Sequence, residues 1–140
     1  SYIIKNKNRY YELLKTTRET GRYEPITEFM LQSFKETAEK TLSIVESIRA
    51  LIVQYSDKEY LTTLKGQLEP LQNTVNVIFK KVYVRVADLV ELGIHRQTAA
   101  AYLDQFVDQG LLSKDRIGRD NIYKNIKLLE LFDYDSEEAI

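Results

Sequence analysis

The sequence predicts a mainly α-helical chain with one small β-hairpin, on three observations. Apolar residues recur at helical spacing over residues 2–19 and again from Pro25 to Gln54. Val86–Leu112 is typical of two helices joined by a tight turn. Two short runs around Gly118 follow and indicate a hairpin. We therefore expect a helical segment with a long connecting helix, followed by a compact helix–turn–helix and its hairpin.

The helix–turn–helix has the clearest pattern in the chain. Gly93 is predicted to end its first helix, because only glycine adopts a positive φ there without a steric penalty. The second helix is predicted to begin near residues 95–97 and to stop at Gly110, with one apolar face at a 3.6-residue period. The apolar positions are Val86, Leu89 and Val90 in the first helix and Ala99, Tyr102, Leu103, Phe106 and Val107 in the second.

The hairpin is predicted from Leu111–Ile117 and Asn121–Tyr123, which flank a polar turn around Gly118. A helix–turn–helix followed by a hairpin is a winged helix, in which the hairpin forms the wing. The β-branched run Val82–Val84 is expected to pair with it.

Four parts are expected along the chain. Residues 1–54 are helical, with Pro25 opening a helix of about 45 Å that bridges two parts. Residues 55–69 are a linker with a short helix capped by Ser56. Residues 70–132 are the winged helix domain, closed by a helical turn over Ile126–Phe132, and residues 133–140 are a frayed acidic tail.

Composition excludes several classes of metal site. The charge of the chain gives only weak support for binding to DNA. The chain has no cysteine and one histidine, which excludes thiolate and multi-histidine metal sites. Its apolar runs are too short to span a bilayer and no signal peptide is visible, so we expect a cytoplasmic protein without a membrane partner. The net charge is −1, but residues 70–127 carry nine Lys/Arg against six Asp/Glu and are the only mildly basic part.

The second helix of the helix–turn–helix supplies the candidate contacts to DNA, because recognition helices present their N-terminal residues to the major groove. Arg96 suits guanine, Gln97 suits adenine, and Ala101 suits a thymine methyl group. Asp104 and Asp108, further along, argue against deep insertion. The residues alone leave DNA binding and protein-only interaction equally open. The candidate set is His95, Arg96, Gln97, Thr98 and Ala101 on the helix and Arg116 and Arg119 in the wing.

Two stretches resemble the Fic family of proteins. Residues 1–14 (S-Y-I-I-K-N-K-N-R-Y-Y-E-L-L) and 22–38 (R-Y-E-P-I-T-E-F-M-L-Q-S-F-K-E-T-A) are similar to the segment that follows the Fic catalytic loop. Residues 84–112 resemble the C-terminal winged helix of many bacterial Fic proteins. The resemblance implies that residues 1–54 are the last helices of a Fic-like core.

Fic proteins typically transfer AMP from ATP, with magnesium, to a hydroxyl group of a target protein. Their loop His-Pro-Phe-x-x-Gly-Asn-Gly-Arg is absent, since His95 is followed by Arg96. The resemblance thus implies a truncated, non-catalytic piece of a bacterial adenylyltransferase, with no cofactor of its own. Tyr11 matches a tyrosine that lies near the adenine in some members. Arg18 stands where some members place a nucleotide-binding asparagine.

Self-association is a further expectation. A first helix that has lost its neighbours would expose Ile3, Ile4 and Leu14, and exposed apolar patches promote pairing, so a homodimer is expected as one partner state.

Overall fold

A computed structural model of the chain describes residues 2–137, with the side chains of residues 2–132. In this part of the chain it has eight helices and a three-stranded antiparallel sheet, which confirms the predicted fold class. The elements are α1 (Tyr2–Lys5), α2 (Lys7–Thr20), α3 (Glu24–Ser56), α4 (Lys58–Thr62), α5 (Leu68–Lys80), β1 (Tyr83–Arg85), α6 (Val86–Val90), α7 (Arg96–Asp108), β2 (Leu112–Ile117), β3 (Asp120–Asn125) and α8 (Ile126–Glu137).

The chain divides into two compact units. Unit 2 is Ser47–Asp133, and unit 1 comprises the remaining described residues. In unit 1 the aromatic side chain of Phe29 is buried, with the rings of Tyr2 and Tyr10 at centroid distances of 5.3 and 6.0 Å. The single helix predicted over residues 2–19 is interrupted at Asn6. The backbone of Asn6 departs from helical geometry, with a φ of −114° and a ψ of 32°, and its side chain donates to the Tyr2 carbonyl oxygen at 3.0 Å.

Unit 2 has one apolar core, made by α4–α7 and the sheet. The predicted linker over 55–69 packs into it, because Tyr55 and Leu61 are buried there. Asp57, rather than the predicted Ser56, caps α4, since its carboxylate accepts the Tyr60 backbone N–H at 3.1 Å. The assignment of these ranges to Fic-family domains stays a prediction.

The sheet has the strand order β1-β3-β2. Ile117 pairs with Asp120, so Gly118 and Arg119 form a two-residue tip, as expected of a tight hairpin. β1 pairs with β3 through Val84 and Tyr123, which confirms that this run joins the wing.

Helix α8 is longer than the predicted closing turn. It continues through Glu137, so residues 133–137 of the expected tail are helical. The Asn125 side chain accepts the Leu128 N–H at 2.9 Å at its start, and no glycine or proline follows to stop it. The expected fraying of residues 138–140 lies outside the described residues.

Candidate nucleic-acid interface

The turn between α6 and α7 sets the start of the second helix. Gly93 has a φ of +83°, as predicted, and its N–H donates to the Val90 carbonyl oxygen at 2.9 Å. Ile94 is buried beneath the turn. His95 is the N-cap residue of α7, but its side chain makes no capping hydrogen bond. The first N–H groups of α7 are therefore not occupied by a cap and can serve a phosphate oxygen.

Helix α7 is divided into a core face and a solvent face. Ala99, Tyr102, Leu103 and Phe106 are buried. The candidate residues lie on the other side: His95, Arg96, Gln97 and Ala101 are exposed and Thr98 is partly exposed. The predicted contact residues of the helix thus share one accessible surface.

The wing brings Arg116 to the same side of the sheet as α7. Lys114 lies on β2 and reaches α7, and Arg116 is two residues further along the strand, so both side chains lie on one face. Arg119 occupies the hairpin tip and is exposed. Within the described residues, no hydrogen bond or ion pair joins Arg116 or Arg119 to the candidate residues of α7.

Lysines and arginines of this domain differ in whether they form ion pairs with acidic side chains. Lys81 binds Asp88 at 2.5 Å, Lys114 binds Asp104 at 2.7 Å, and Lys124 binds Asp115. The hydrogen bonds to these carboxylates raise the pKa of each lysine above its usual value. By contrast, Arg96, Arg116 and Arg119, like Arg85 on β1, have no ion pair with any described residue, which leaves their guanidinium groups open to an external anion.

A comparison with known proteins shows what this domain is similar to. Residues 71–128, from within α5 to the start of α8, match the family model of the SoFic-like protein adenylyltransferase C-terminal domain. This part of the chain is therefore similar to the C-terminal domain of a protein adenylyltransferase. The SoFic-like domain therefore contains every candidate residue of α7 and of the wing.

Sequence reasoning missed the contacts that hold α7 of the SoFic-like domain in place. From the spacing of residues in the sequence, Gln105 is expected only to lie further along the DNA-contacting helix. Its amide accepts the Lys65 N–H at 2.6 Å and donates to the Lys65 carbonyl oxygen at 2.9 Å, so it holds the α4–α5 loop. The Tyr102 hydroxyl accepts the Gln67 N–H at 3.2 Å. These partners lie 35 to 40 residues apart in sequence, which no periodicity could reveal.

A groove of about 540 Å³ lies beside the turn of the SoFic-like domain. Its wall includes Glu69 and Asn73 of α5, and His95, Thr98 and Tyr102 of α7 and its N-cap. Two of the predicted contact residues, His95 and Thr98, thus also border this groove.

Tyr11 and Arg18, the two residues that the resemblance to Fic proteins places near a nucleotide, lie two turns apart on α2 and so on one side of it. Both are exposed, and the Tyr11 ring packs against Tyr10 and lies 5.9 Å from the Lys7 Nζ. Two cavities of unit 1, of about 380 and 400 Å³, are lined by other residues. These two side chains alone do not enclose a nucleotide.

Neither a metal-binding cluster nor a membrane-spanning helix is found among the described residues. No group of three or more His, Cys, Asp or Glu side chains there is placed to hold a metal ion. Nor is any helix in that part of the chain both long and apolar enough to cross a bilayer.

Proposed function

We propose that the SoFic-like domain binds duplex DNA through the start of α7 and the wing. The observation that carries this proposal is the division of the basic residues. Three lysines of the domain form ion pairs with aspartates. Arg96, Arg116 and Arg119 are exposed and have no acidic partner among the described residues. Arginines left open in this way suit phosphate and guanine, which a guanidinium group binds with two hydrogen bonds.

The docking that these residues favour places the start of α7 in the major groove. Arg96 then donates to guanine, Gln97 pairs with adenine, and Ala101 meets a thymine methyl group. His95 and Thr98 contact the adjoining backbone together with the free N–H groups of the first turn. Arg119, at the hairpin tip, and Arg116, on the α7 side of the wing, bind phosphates beside the groove.

A titration of the chain with mixed-sequence duplex DNA at several salt concentrations tests this proposal. The logarithm of affinity should fall linearly with the logarithm of salt concentration, because bound phosphates release counterions. Arg119→Ala should reduce the slope by about one, and Arg96→Ala should weaken binding by about 1–3 kcal/mol.

Arg85→Ala is the matched control for this titration. Arg85 is an exposed arginine on β1 that pairs with Ile122, on the sheet face opposite Lys114 and Arg116, so its loss should leave slope and affinity unchanged. Absence of binding at low salt, or equal effects of Arg85→Ala and Arg119→Ala, would contradict the proposal.

Protein–protein interaction is the second candidate, and the outer sheet face favours it. Tyr83 of β1 and Ile117 of β2 lie on that face and are 57% and 59% exposed. Exposed apolar side chains on one face of a sheet suit a protein partner. If this candidate holds, Tyr83→Ser with Ile117→Ser abolishes binding to a separately prepared Fic core, while Arg96→Ala leaves it intact.

We also propose that the wider protein transfers AMP from ATP, with magnesium, to a hydroxyl group of a target protein in the bacterial cytoplasm. The match to a protein adenylyltransferase C-terminal domain supports this. Tyr11 and Arg18 would then border the nucleotide. A longer protein that carries the catalytic loop should bind ATP, and Tyr11→Ala should weaken that binding. A longer protein without nucleotide affinity would refute this part.

A further inference from the structure

The charge of α7 does not suit DNA unless one of its acids is neutralised. The helix has one basic residue, Arg96, against Asp104 and Asp108. A carboxylate that faces phosphates weakens binding, because like charges brought together across an interface repel. Asp108 lies at the last position of the helix, whereas Asp104 lies four residues nearer the DNA-facing start.

Asp104 is held by two donors from the two strands of the wing. Its Oδ1 atom accepts the Lys114 Nζ at 2.7 Å and the Tyr123 hydroxyl at 2.9 Å. Lys114 and Tyr123 are directly paired residues of β2 and β3, so their side chains project from the same face. The Lys114 Nζ also lies 5.4 Å from the Tyr123 ring centroid, over a ring that is fully buried.

The two groups that donate to Asp104 differ in burial, and they therefore have different effects on the carboxylate. The Tyr123 ring is part of the core of unit 2, which gives the carboxylate a rigid partner. The Lys114 and Asp104 side chains are 36% and 46% exposed, and ion pairs at such exposure add little to stability. Their contact therefore matters mainly for local charge and for where the wing lies against α7.

We propose that Asp104, Lys114 and Tyr123 form a latch that neutralises α7 and holds the wing beside it. Lys114 acts through Asp104 as a positioning residue and makes no phosphate contact of its own. Arg116, two residues further along β2, is thereby presented on the α7 side. The role in DNA affinity rests on the DNA binding proposed above, whereas the latch contact itself does not.

The decisive measurement is DNA affinity in a pair of variants of the whole chain. Lys114→Met leaves Asp104 uncompensated and should weaken binding by about tenfold. Asp104→Asn combined with Lys114→Met removes both charges and should return affinity to within about twofold of the parent, since the introduced amide oxygen still accepts the Tyr123 hydroxyl. A double variant as weak as Lys114→Met alone would show a direct phosphate contact and overturn the latch.

Lys124→Met provides the matched control. Lys124 also pairs with an aspartate, Asp115, but both lie on the opposite face of the sheet. This variant should bind DNA within about twofold of the parent, because its unpaired aspartate faces away from α7. A loss equal to that of Lys114→Met would make the effect a general consequence of net charge and would refute the latch. Thermal unfolding of each variant verifies that it is folded.

A measurement without DNA separates failure of the latch from failure of DNA binding. Hydrogen bonding to Asp104 raises the pKa of Lys114, and hydrogen bonding to Asp115 raises that of Lys124. In an NMR titration, Asp104→Asn should lower the pKa of Lys114 and leave that of Lys124 unchanged. An unchanged Lys114 pKa would show that the latch does not form. A parent that forms the latch but binds no DNA would overturn both the proposed function and the role of the latch in affinity.

Discussion

Gly66 is the glycine of this chain whose backbone lies against a buried ring. It has a φ of +142°, and a Cβ added there would lie 2.7 Å from the Tyr102 hydroxyl oxygen and closer still to a ring carbon. Tyr102 cannot move freely, because it is buried and its hydroxyl accepts the Gln67 N–H. The α4–α5 loop therefore requires glycine at this position.

Gly66→Ala should lower the free energy of unfolding by about 2–4 kcal/mol, the sum of an unfavourable backbone conformation and overpacking against Tyr102. Urea unfolding measures it. Gly110→Ala is the control, since Gly110 also has a positive φ of +72° but nothing within 4 Å of an added Cβ, and it should cost only about 1–2 kcal/mol. Equal losses of unfolding free energy in the two variants would show that the Tyr102 ring moves aside at little cost.

The environment of an individual residue could be predicted from the sequence only where it depends on residues nearby in the chain. The exposure of Arg96 and Gln97 follows from their place opposite an apolar stripe, and the positive φ of Gly93 follows from its place between two helices. The contacts of Asp104 with Lys114 and Tyr123 span 10 and 19 residues. They depend on which strands pair and in what register, which the spacing of residues does not determine.

At the scale of elements, the start of α6 is held by Asp88. Its Oδ2 atom accepts the Arg85 N–H at 2.7 Å, and its Oδ1 atom accepts the Lys81 Nζ at 2.5 Å. Partial burial opposes the charged form, but the hydrogen bonds from Lys81 and Arg85 outweigh it and lower the pKa of Asp88. The short helix α6 thus depends on an ionised aspartate.

The lowered pKa fixes the sign of a pH dependence. Asp88 is more acidic in the folded chain than in the unfolded one, so its stabilisation is full above the unfolded pKa and is lost as pH falls below about 4. Asp88→Asn should therefore make the free energy of unfolding vary less between pH 5 and pH 2, as followed by urea unfolding at each pH. Asp108→Asn, at an exposed aspartate with no ion pair to any described residue, should leave that variation as in the parent.

The positions of helices and strands could be predicted where a glycine lies at the end of a periodic apolar pattern. The bounds of α7 and of the hairpin agree with prediction to within a few residues, because Gly93, Gly110 and Gly118 mark their ends. The break at Asn6 and the extension of α8 to Glu137 were not predicted. The break coincides with an Asn6 amide bound to the Tyr2 carbonyl oxygen, and an asparagine in sequence does not reveal its partner. Helix α8 continues because no glycine or proline follows to stop it.

At the scale of the whole molecule, unit 1 exposes several large apolar side chains. Of the residues expected to be uncovered, Ile4 and Leu14 are 66% and 38% exposed, whereas Ile3 is only partly exposed. Along α3 the buried Phe29 and Ser33 lie on one side of the helix. A second apolar stripe runs along the other side and is exposed: Leu31, Phe34, Leu42 and Val45.

This α3 stripe has the spacing at which two helices pack together, so we expect the chain to associate with itself through it. Sedimentation should show a mass that rises with concentration. Leu31→Glu combined with Leu42→Glu should weaken association by about tenfold or more, because each change places a charge in apolar contact. Tyr23→Ser removes an aromatic residue that is 68% exposed but lies outside the stripe, and it should leave association unchanged. A chain that stays monomeric at high concentration would refute the expectation, and an effect of Tyr23→Ser alone would place the contact elsewhere in unit 1.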